Sequence, residues 1–191
     1  MRLVILVSAA ALALAAAGCG GGGDDSASTS GTKSETWAPQ VCNALLTWER
    51  DLRSGSRQMS ADIRSSTNLK EVKRRLVAFL QSAEQSSEKM VGEVKGAGAP
   101  AVKDGPALQS DLETGLSQTI TSFHRAVAQA KKLPTTNPQV LATGMTTLAQ
   151  TIQSEVSAIG AHFTSLDTKY DTTELKQAMA DEPSCKPFLS R

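Results

Sequence analysis

Aromatic residues are scarce in this chain, because only 4% of its 191 residues are Phe, Trp or Tyr. A hydrophobic core must therefore be built from aliphatic side chains and alanine. Long alternation of apolar and polar residues with a period of two, which would indicate β-strands, is also missing. The sequence therefore predicts an all-α protein.

Motifs for catalysis and metal binding are missing as well. His124 and His162 are the only histidines, and neither lies in a metalloprotease or di-iron motif. On two antiparallel predicted helices they are about 20 Å apart, too far to bind one metal ion together. No Gly-x-Ser-x-Gly or paired-thiol motif is present. We therefore expect no catalytic residue, no metal and no cofactor, and a protein that is not an enzyme.

The chain has almost no net charge, with 20 basic and 19 acidic residues and a formal charge of +1. This balance argues against a general nucleic-acid-binding protein. About 155 residues remain once the N-terminal segments described below are set aside, which is enough for one domain with a substantial core.

The longest uncharged apolar run lies at the N-terminus. Met1 and Arg2 give a short positive start, residues 3–17 are apolar, and small residues lead to Cys19. The run of about 15 residues is shorter than the roughly 20 of a membrane-spanning helix. The three parts have the order of a signal peptide. Two alternatives stay open, a secretory signal with an incidental cysteine and an uncleaved anchor.

Residues Leu12 to Cys19 resemble a bacterial lipobox. The resemblance implies that residues 1–18 form a lipoprotein signal peptide and that Cys19 becomes the lipidated first residue. Residues 19–35 are polar and glycine-rich, as in a flexible tether. We expect residues 36–191 to form the folded domain, anchored through the lipid to the extracytoplasmic face of the cell membrane.

The opening Trp37-x-x-x-Val41-Cys42 follows this lipobox and tether. Together these features resemble the small α-helical lipoproteins of actinobacteria. The lipobox covers only the N-terminal segment, and the remaining similarity is one of type. No functional residue is carried over from it.

Apolar residues recur every three or four positions in four long stretches, which predicts four helices of about 25 residues. Thr36, Asn68, Asp104 and Asn137 mark their expected starts, and a short helix follows Asp171. Short turns between long helices predict an antiparallel up-down-up-down four-helix bundle with a short C-terminal fifth helix.

Three cysteines occur in the chain. If Cys19 carries lipid, Cys42 and Cys185 remain as an even pair in an oxidising compartment. The first helix of such a bundle starts at the end where the fourth finishes, so the sequence predicts a Cys42–Cys185 disulfide. Two free thiols or a metal site are the alternatives, and the absence of clustered histidines argues against the metal.

Basic residues concentrate at the predicted end of the bundle that is opposite the tether. The turns between helices one and two and between helices three and four both lie there. The candidate partner-binding residues are Arg64, Lys70, Lys73, Arg74, Arg75, Lys131 and Lys132. We expect this end to attract an anionic wall polymer or an acidic face of another envelope protein. A solvated charged surface without a partner is the alternative.

Three functional interpretations follow from these patterns. The leading one is a membrane-anchored cell-envelope lipoprotein that acts as a non-catalytic interaction or scaffold module. The alternative is a small-ligand or lipid carrier that uses the bundle interior, because Gly115, Gly144 and Gly160 near the core stripes could leave room there. The third is an enzyme whose site has no recognised motif.

The lipobox generates a first prediction. Replacing Cys19 with serine should release the protein from the membrane fraction, because the lipidated thiol is the expected anchor. Intact-mass measurement of the membrane-extracted wild type should show a chain that begins at Cys19 and carries lipid. A chain that retains residues 1–18, or one cleaved elsewhere without lipid, would contradict the prediction.

Overall fold

The computed structural model describes residues 30–189, which are all-α as predicted. Cys19, the predicted signal peptide and most of the predicted tether lie outside this range. None of the helices in it combines the length and the hydropathy needed to cross a membrane. The six helices are α1 Ser34–Ser65, α2 Leu69–Ala97, α3 Gly105–Lys132, α4 Pro138–Lys169, α5 Thr173–Asp181 and α6 Lys186–Leu189.

Local side chains explain where several of these helices begin. The Asn68 side chain accepts a hydrogen bond from the backbone N–H of Lys70 at the start of α2. Asn137 does the same for two N–H groups at the start of α4, where Pro138 occupies the first helical position. These two predicted caps are confirmed. The predicted cap at Thr36 is wrong, because α1 begins at Ser34 and Lys33 holds the N-cap position.

Specific side-chain contacts join each long helix to the next. The indole N–H of Trp37, at the start of α1, donates to the carbonyl of Gly98, just beyond the end of α2, at 3.0 Å. His124 of α3 lies 2.7 Å from the Glu84 carboxylate of α2, and Arg125 of α3 lies 2.9 Å from the Glu155 carboxylate of α4.

The packing of the helices follows their order in the chain. α1 packs on α2, α2 on α3 and α3 on α4, while α5 returns to α1. A closed four-helix ring also needs α4 to pack along α1, and this pair forms no extensive backbone contact within residues 30–189. In agreement, the Val156 side chain of α4 is 48% exposed. The predicted helical class is therefore confirmed, whereas the α1–α4 packing that would close a four-helix bundle is not confirmed.

The core consists of two main apolar clusters along the long helices. One lies at the tether end around Trp37, Met90 and Leu116, and the other surrounds Leu80 and Phe123. Trp48 packs against both clusters, and its indole N–H donates to the hydroxyl of the fully buried Ser87 at 2.9 Å. Both tryptophans are therefore core residues, as their shared stripe predicted.

The glycines near the core do not leave interior room. A Cβ atom on Gly115 would come within 2.5 Å of the His162 ring, and one on Gly144 within 2.5 Å of the Leu133 side chain. Neighbouring side chains already fill this space, so the small residues bring α4 and the α3 terminus close together. Gly160 is exposed and borders open space among the described residues. The expectation of interior room at these positions is wrong.

The chain is held to the domain before α1 begins. The Thr32 N–H donates to the carbonyl of Ala99, and the Thr32 carbonyl accepts from the N–H of Ala101, both at 2.8 Å. The Thr32 hydroxyl also donates to the Ala97 carbonyl at 2.7 Å. Thr32, which the sequence assigned to the tether, is thus attached to the connection between α2 and α3. Ser34 and Glu35, also assigned to the tether, belong to α1.

A disulfide joins Cys42 in α1 to Cys185 after α5, with 5.1 Å between the two Cα atoms. Both cysteines are fully buried, beside Ala38, Met179 and Phe188. The predicted pairing is confirmed. Because Cys185 lies between α5 and α6, the disulfide fixes this C-terminal segment covalently to α1.

The disulfide generates a second prediction. Replacing Cys42 and Cys185 together with alanine should lower the free energy of unfolding by about 2–5 kcal/mol, since a long loop in the unfolded chain is then no longer closed. Urea unfolding followed by circular dichroism measures the change. An unfolding midpoint equal to that of the oxidised wild type would contradict the prediction.

Candidate anion-binding groove

The two predicted basic turns lie side by side in the structure. The Lys73 ammonium donates to the Leu133 carbonyl at 2.9 Å, which links the first turns of α2 to the end of α3. Residues 57–75 and 131–140, which surround this link, contain eight basic residues and only two acidic ones, Asp62 and Glu71. Strong positive charge is thus concentrated at the end of the domain opposite Thr32.

An open groove of about 600 Å³ lies at this end, between α2 and the α3–α4 connection. Residues three or four apart share one side of a helix, so the α2 members form one continuous wall. No carboxylate is present among the described residues that line it. These residues are Lys70, Lys73, Arg74, Val77, Ala78, Gln81 and Thr135.

Glu71 lies beside the groove and binds two guanidinium groups. Arg74 donates to it through Nε and Nη2 at 2.7 and 2.5 Å, and Arg75 donates through Nε at 2.6 Å. These hydrogen bonds lower the pKa of Glu71 to about 2. Those from Arg74 have the largest effect, and the one from Arg75 has the second largest. Arg75 also contacts Asp62 of α1 at 3.1 Å. Glu71 therefore remains a carboxylate at any physiological pH.

The role of Glu71 differs from the one that the sequence suggests. Its position three residues after Asn68 predicts a reciprocal cap, in which the glutamate accepts the Asn68 backbone N–H. In the structure that N–H donates to the Ser66 hydroxyl at 3.4 Å instead. The arginines compete successfully for Glu71 because each offers charged, forked donors.

The structure separates the seven candidate partner-binding residues. It brings Lys70, Lys73 and Arg74 together along the groove. Arg75 turns towards α1, where it contacts Asp62. Arg64 follows Asp62 by two residues, and therefore points away from α2 at 100° per residue. Lys131 and Lys132 are exposed in the last turn of α3.

Sequence reasoning missed the uncharged members of the groove. Val77 and Gln81 continue the spacing of Lys70 and Arg74 along α2, so helical periodicity could have included them. Thr135 is brought there only by the packing of the α3–α4 connection. One side of the groove, the α2 face, can therefore be predicted from helical periodicity. The other side, at Thr135, depends on tertiary packing.

The two histidines have different neighbours. His124 Nδ1 lies 2.7 Å from a Glu84 carboxylate oxygen, whereas His162 Nε2 lies 3.0 Å from the Asp111 carbonyl. Within residues 30–189, no group of three or more His, Cys, Asp or Glu residues is placed to hold a metal ion.

The end that holds Thr32 has the opposite charge character. Asp111 accepts hydrogen bonds from the Lys169 ammonium at 2.5 Å and from the Tyr170 hydroxyl at 2.8 Å. These bonds, that from Lys169 first, lower the pKa of Asp111. Glu174 accepts from the Ser34 hydroxyl at 2.6 Å. Carboxylates here are thus used to connect helices, and the domain is polarised along its length.

Comparison with protein-family models, with curated proteins and with solved structures finds no match to this chain.

The Glu71 network generates a third prediction. Because the pKa of Glu71 falls from 4.5 to about 2 on folding, its contribution to stability is present above pH 4.5 and is lost between that pH and about 2. Replacing Glu71 with glutamine should therefore lower the thermal midpoint at neutral pH, and the difference from wild type should shrink on acidification.

Circular dichroism melts at a series of pH values measure this difference. Glu88→Gln is the matched control, since it removes the same charge from an exposed position of α2. A difference between wild type and Glu71→Gln that stays constant down to pH 2 would contradict the prediction.

Proposed function

We propose that this protein is a membrane-anchored cell-envelope lipoprotein that acts as a non-catalytic interaction module. In this proposal the groove of Lys70, Lys73 and Arg74 binds an anionic partner. The observation that carries the proposal is an open groove with three cations and no carboxylate among its described lining residues.

The position of the groove supports this assignment. A chain anchored at Cys19 reaches the domain at Thr32, which is hydrogen-bonded beyond the C-terminal end of α2. Lys70 lies at the N-terminal end of the same helix, which has 29 residues and is therefore roughly 40 Å long. The groove is thus presented far from the anchored end, where a partner has access.

We further propose that α1 to α4 act together as an up-down-up-down bundle that serves as a spacer. Contacts between consecutive helices and the two apolar clusters support this role. The disulfide adds rigidity at the anchored end, because it fixes the segment after α5 to α1.

The charge distribution also favours this orientation. The anchored end carries the exposed acidic residues Asp104, Asp171 and Asp181, partly offset by lysines such as Lys103 and Lys176, whereas the remote end is strongly basic. An anionic membrane surface repels the acidic end at close range, within about 8 Å at physiological ionic strength. The basic end is then left free to attract an anionic partner.

The alternative function, a small-ligand or lipid carrier, receives no comparable support. The space beside Gly115 and Gly144 is filled by neighbouring side chains. A second concavity, between α3 and α4 near Ser122 and Leu148, has no room for a water molecule. The better-formed concavity of the two is the open basic groove, which is not in the interior.

The proposed function generates a fourth prediction. Changing Lys70, Lys73 and Arg74 together to glutamine should lower retention of the protein on isolated cell envelopes at low salt by roughly tenfold, because three exposed ion pairs are lost. Raising the salt concentration should reduce wild-type retention in the same direction.

The matched control changes Lys89, Lys95 and Lys103 to glutamine, which removes the same charge from exposed positions outside the groove. Melting temperatures of both variants show whether folding is preserved, since the Lys73 ammonium also bonds the Leu133 carbonyl. Equal retention of the two folded variants would exclude the groove as the docking site.

A further inference from the structure

We infer that the partner of the basic groove is a phosphodiester-linked polymer with hydroxyl-bearing repeating units, rather than an acidic protein surface. This inference rests on the proposed function and specifies its ligand. It is drawn from three features of the groove, namely its available donors, its uncharged wall and its open shape.

The first feature is that the guanidinium group in the groove is already occupied. Arg74 donates through both Nε and Nη2 to the two oxygens of Glu71, which is the paired geometry that guanidinium groups use for carboxylates. The neighbouring Arg75 bonds Glu71 through Nε and contacts Asp62 through Nη1. The protein's own carboxylates therefore occupy these donors of both arginines.

The charged donors that remain are mainly ammonium groups. Lys70 is exposed, and Lys73 uses one of its three N–H donors on the Leu133 carbonyl. An ammonium group acts as a compact point charge and binds phosphate well without a forked geometry. Either a carboxylate or a phosphodiester would have to displace Glu71 to gain the Arg74 fork, and either can pair with an ammonium group. The cations therefore favour an anionic partner, and the uncharged lining decides which kind.

The second feature is the uncharged part of the lining. Gln81 and Thr135 offer an amide and a hydroxyl group next to the cations, above the small apolar surface of Val77 and Ala78. Such groups pair with hydroxyls of a polyol or sugar unit. No aromatic side chain is present among the described lining residues, so the stacking that single-stranded nucleic acids use is lacking.

The third feature is the shape of the groove. It is open to solvent and has a volume of about 600 Å³. A segment from the middle of a polymer can lie across such a groove, because no chain end has to enter an enclosed cavity. Alternation of charge and hydroxyl along the polymer then matches the adjacent cationic and uncharged groups.

The test compares two defined ligands of equal charge by isothermal titration calorimetry with the folded protein at low salt. They are a ten-unit oligo(glycerol phosphate) and a ten-residue poly-L-glutamate. We expect the oligo(glycerol phosphate) to bind about fivefold or more tightly than the peptide, because its hydroxyl groups can also pair with Gln81 and Thr135. The Lys70, Lys73 and Arg74 triple glutamine variant should lose this binding, while the Lys89, Lys95 and Lys103 variant should retain it.

A Gln81→Ala, Thr135→Ala double variant tests the physical reason directly. It removes the uncharged polar groups of the lining and keeps the cations, so affinity for oligo(glycerol phosphate) should fall more than affinity for poly-L-glutamate. The preference for the phosphodiester should therefore shrink in this variant. The Lys89, Lys95 and Lys103 variant should leave the preference unchanged.

Each contrary result has a distinct meaning. If poly-L-glutamate binds the wild type as tightly as the phosphodiester, the inferred ligand class is wrong, while an anionic partner for the groove still stands. If the phosphodiester binds the triple variant as well as the wild type, its site is elsewhere and the inference is overturned. If neither ligand binds and envelope retention is also insensitive to the triple variant, the inference and the proposed function both fail.

Discussion

The arrangement of the domain depends on how the start of α1 is fixed against the connection between α2 and α3. The buried Trp37 indole donates to the Gly98 carbonyl at 3.0 Å and lies 3.3 Å from the buried Gln109 side-chain oxygen. The Gln109 amide is satisfied in turn by the Val94 carbonyl and Glu113. A large buried aromatic with all its polar neighbours bonded is a strong constraint, worth about 3–5 kcal/mol if truncated to alanine. Because Thr32 joins the same connection, this constraint also decides where the chain enters.

The same constraint indirectly determines which connections lie at the basic end of the domain, opposite Thr32. α2 has 29 residues, so the α1–α2 connection lies roughly 40 Å from the α2–α3 connection. At the basic end Lys73 bonds the Leu133 carbonyl and sets the separation of the two groove walls. The groove consequently needs α2, α3 and their connections, but it does not need α4 to close a ring against α1. This explains how an incompletely closed set of helices can still present a defined site.

The basic end of the domain has a net positive charge, but some of its cations are paired with the protein's own carboxylates. The excess of basic residues produces a positive end, yet Glu71 and Asp62 withdraw two arginines from free use. What remains is a diffuse attraction through lysines, with neutral hydrogen-bonding groups alongside. Such a surface favours contact by charge and by hydroxyl pairing over tight forked recognition. The carboxylates within the basic end thus limit which charged donors remain available.

The sequence by itself determined the helical class, the approximate helix bounds and the caps at Asn68 and Asn137, because periodicity and capping are local properties. It also determined the Cys42–Cys185 pairing, since cysteine parity and an even number of long helices bring both residues to one end. Only the tertiary structure decided that Thr32 is bonded to the α2–α3 connection, that His162 fills the space beside Gly115, and that α4 leaves α1 without extensive contact. It alone placed Thr135 in the groove beside the α2 residues and paired Glu71 with Arg74 instead of with the Asn68 backbone. An apolar stripe specifies which side of a helix is buried, whereas its neighbour depends on the angle and separation at which helices pack, which arise from side chains far apart in the chain.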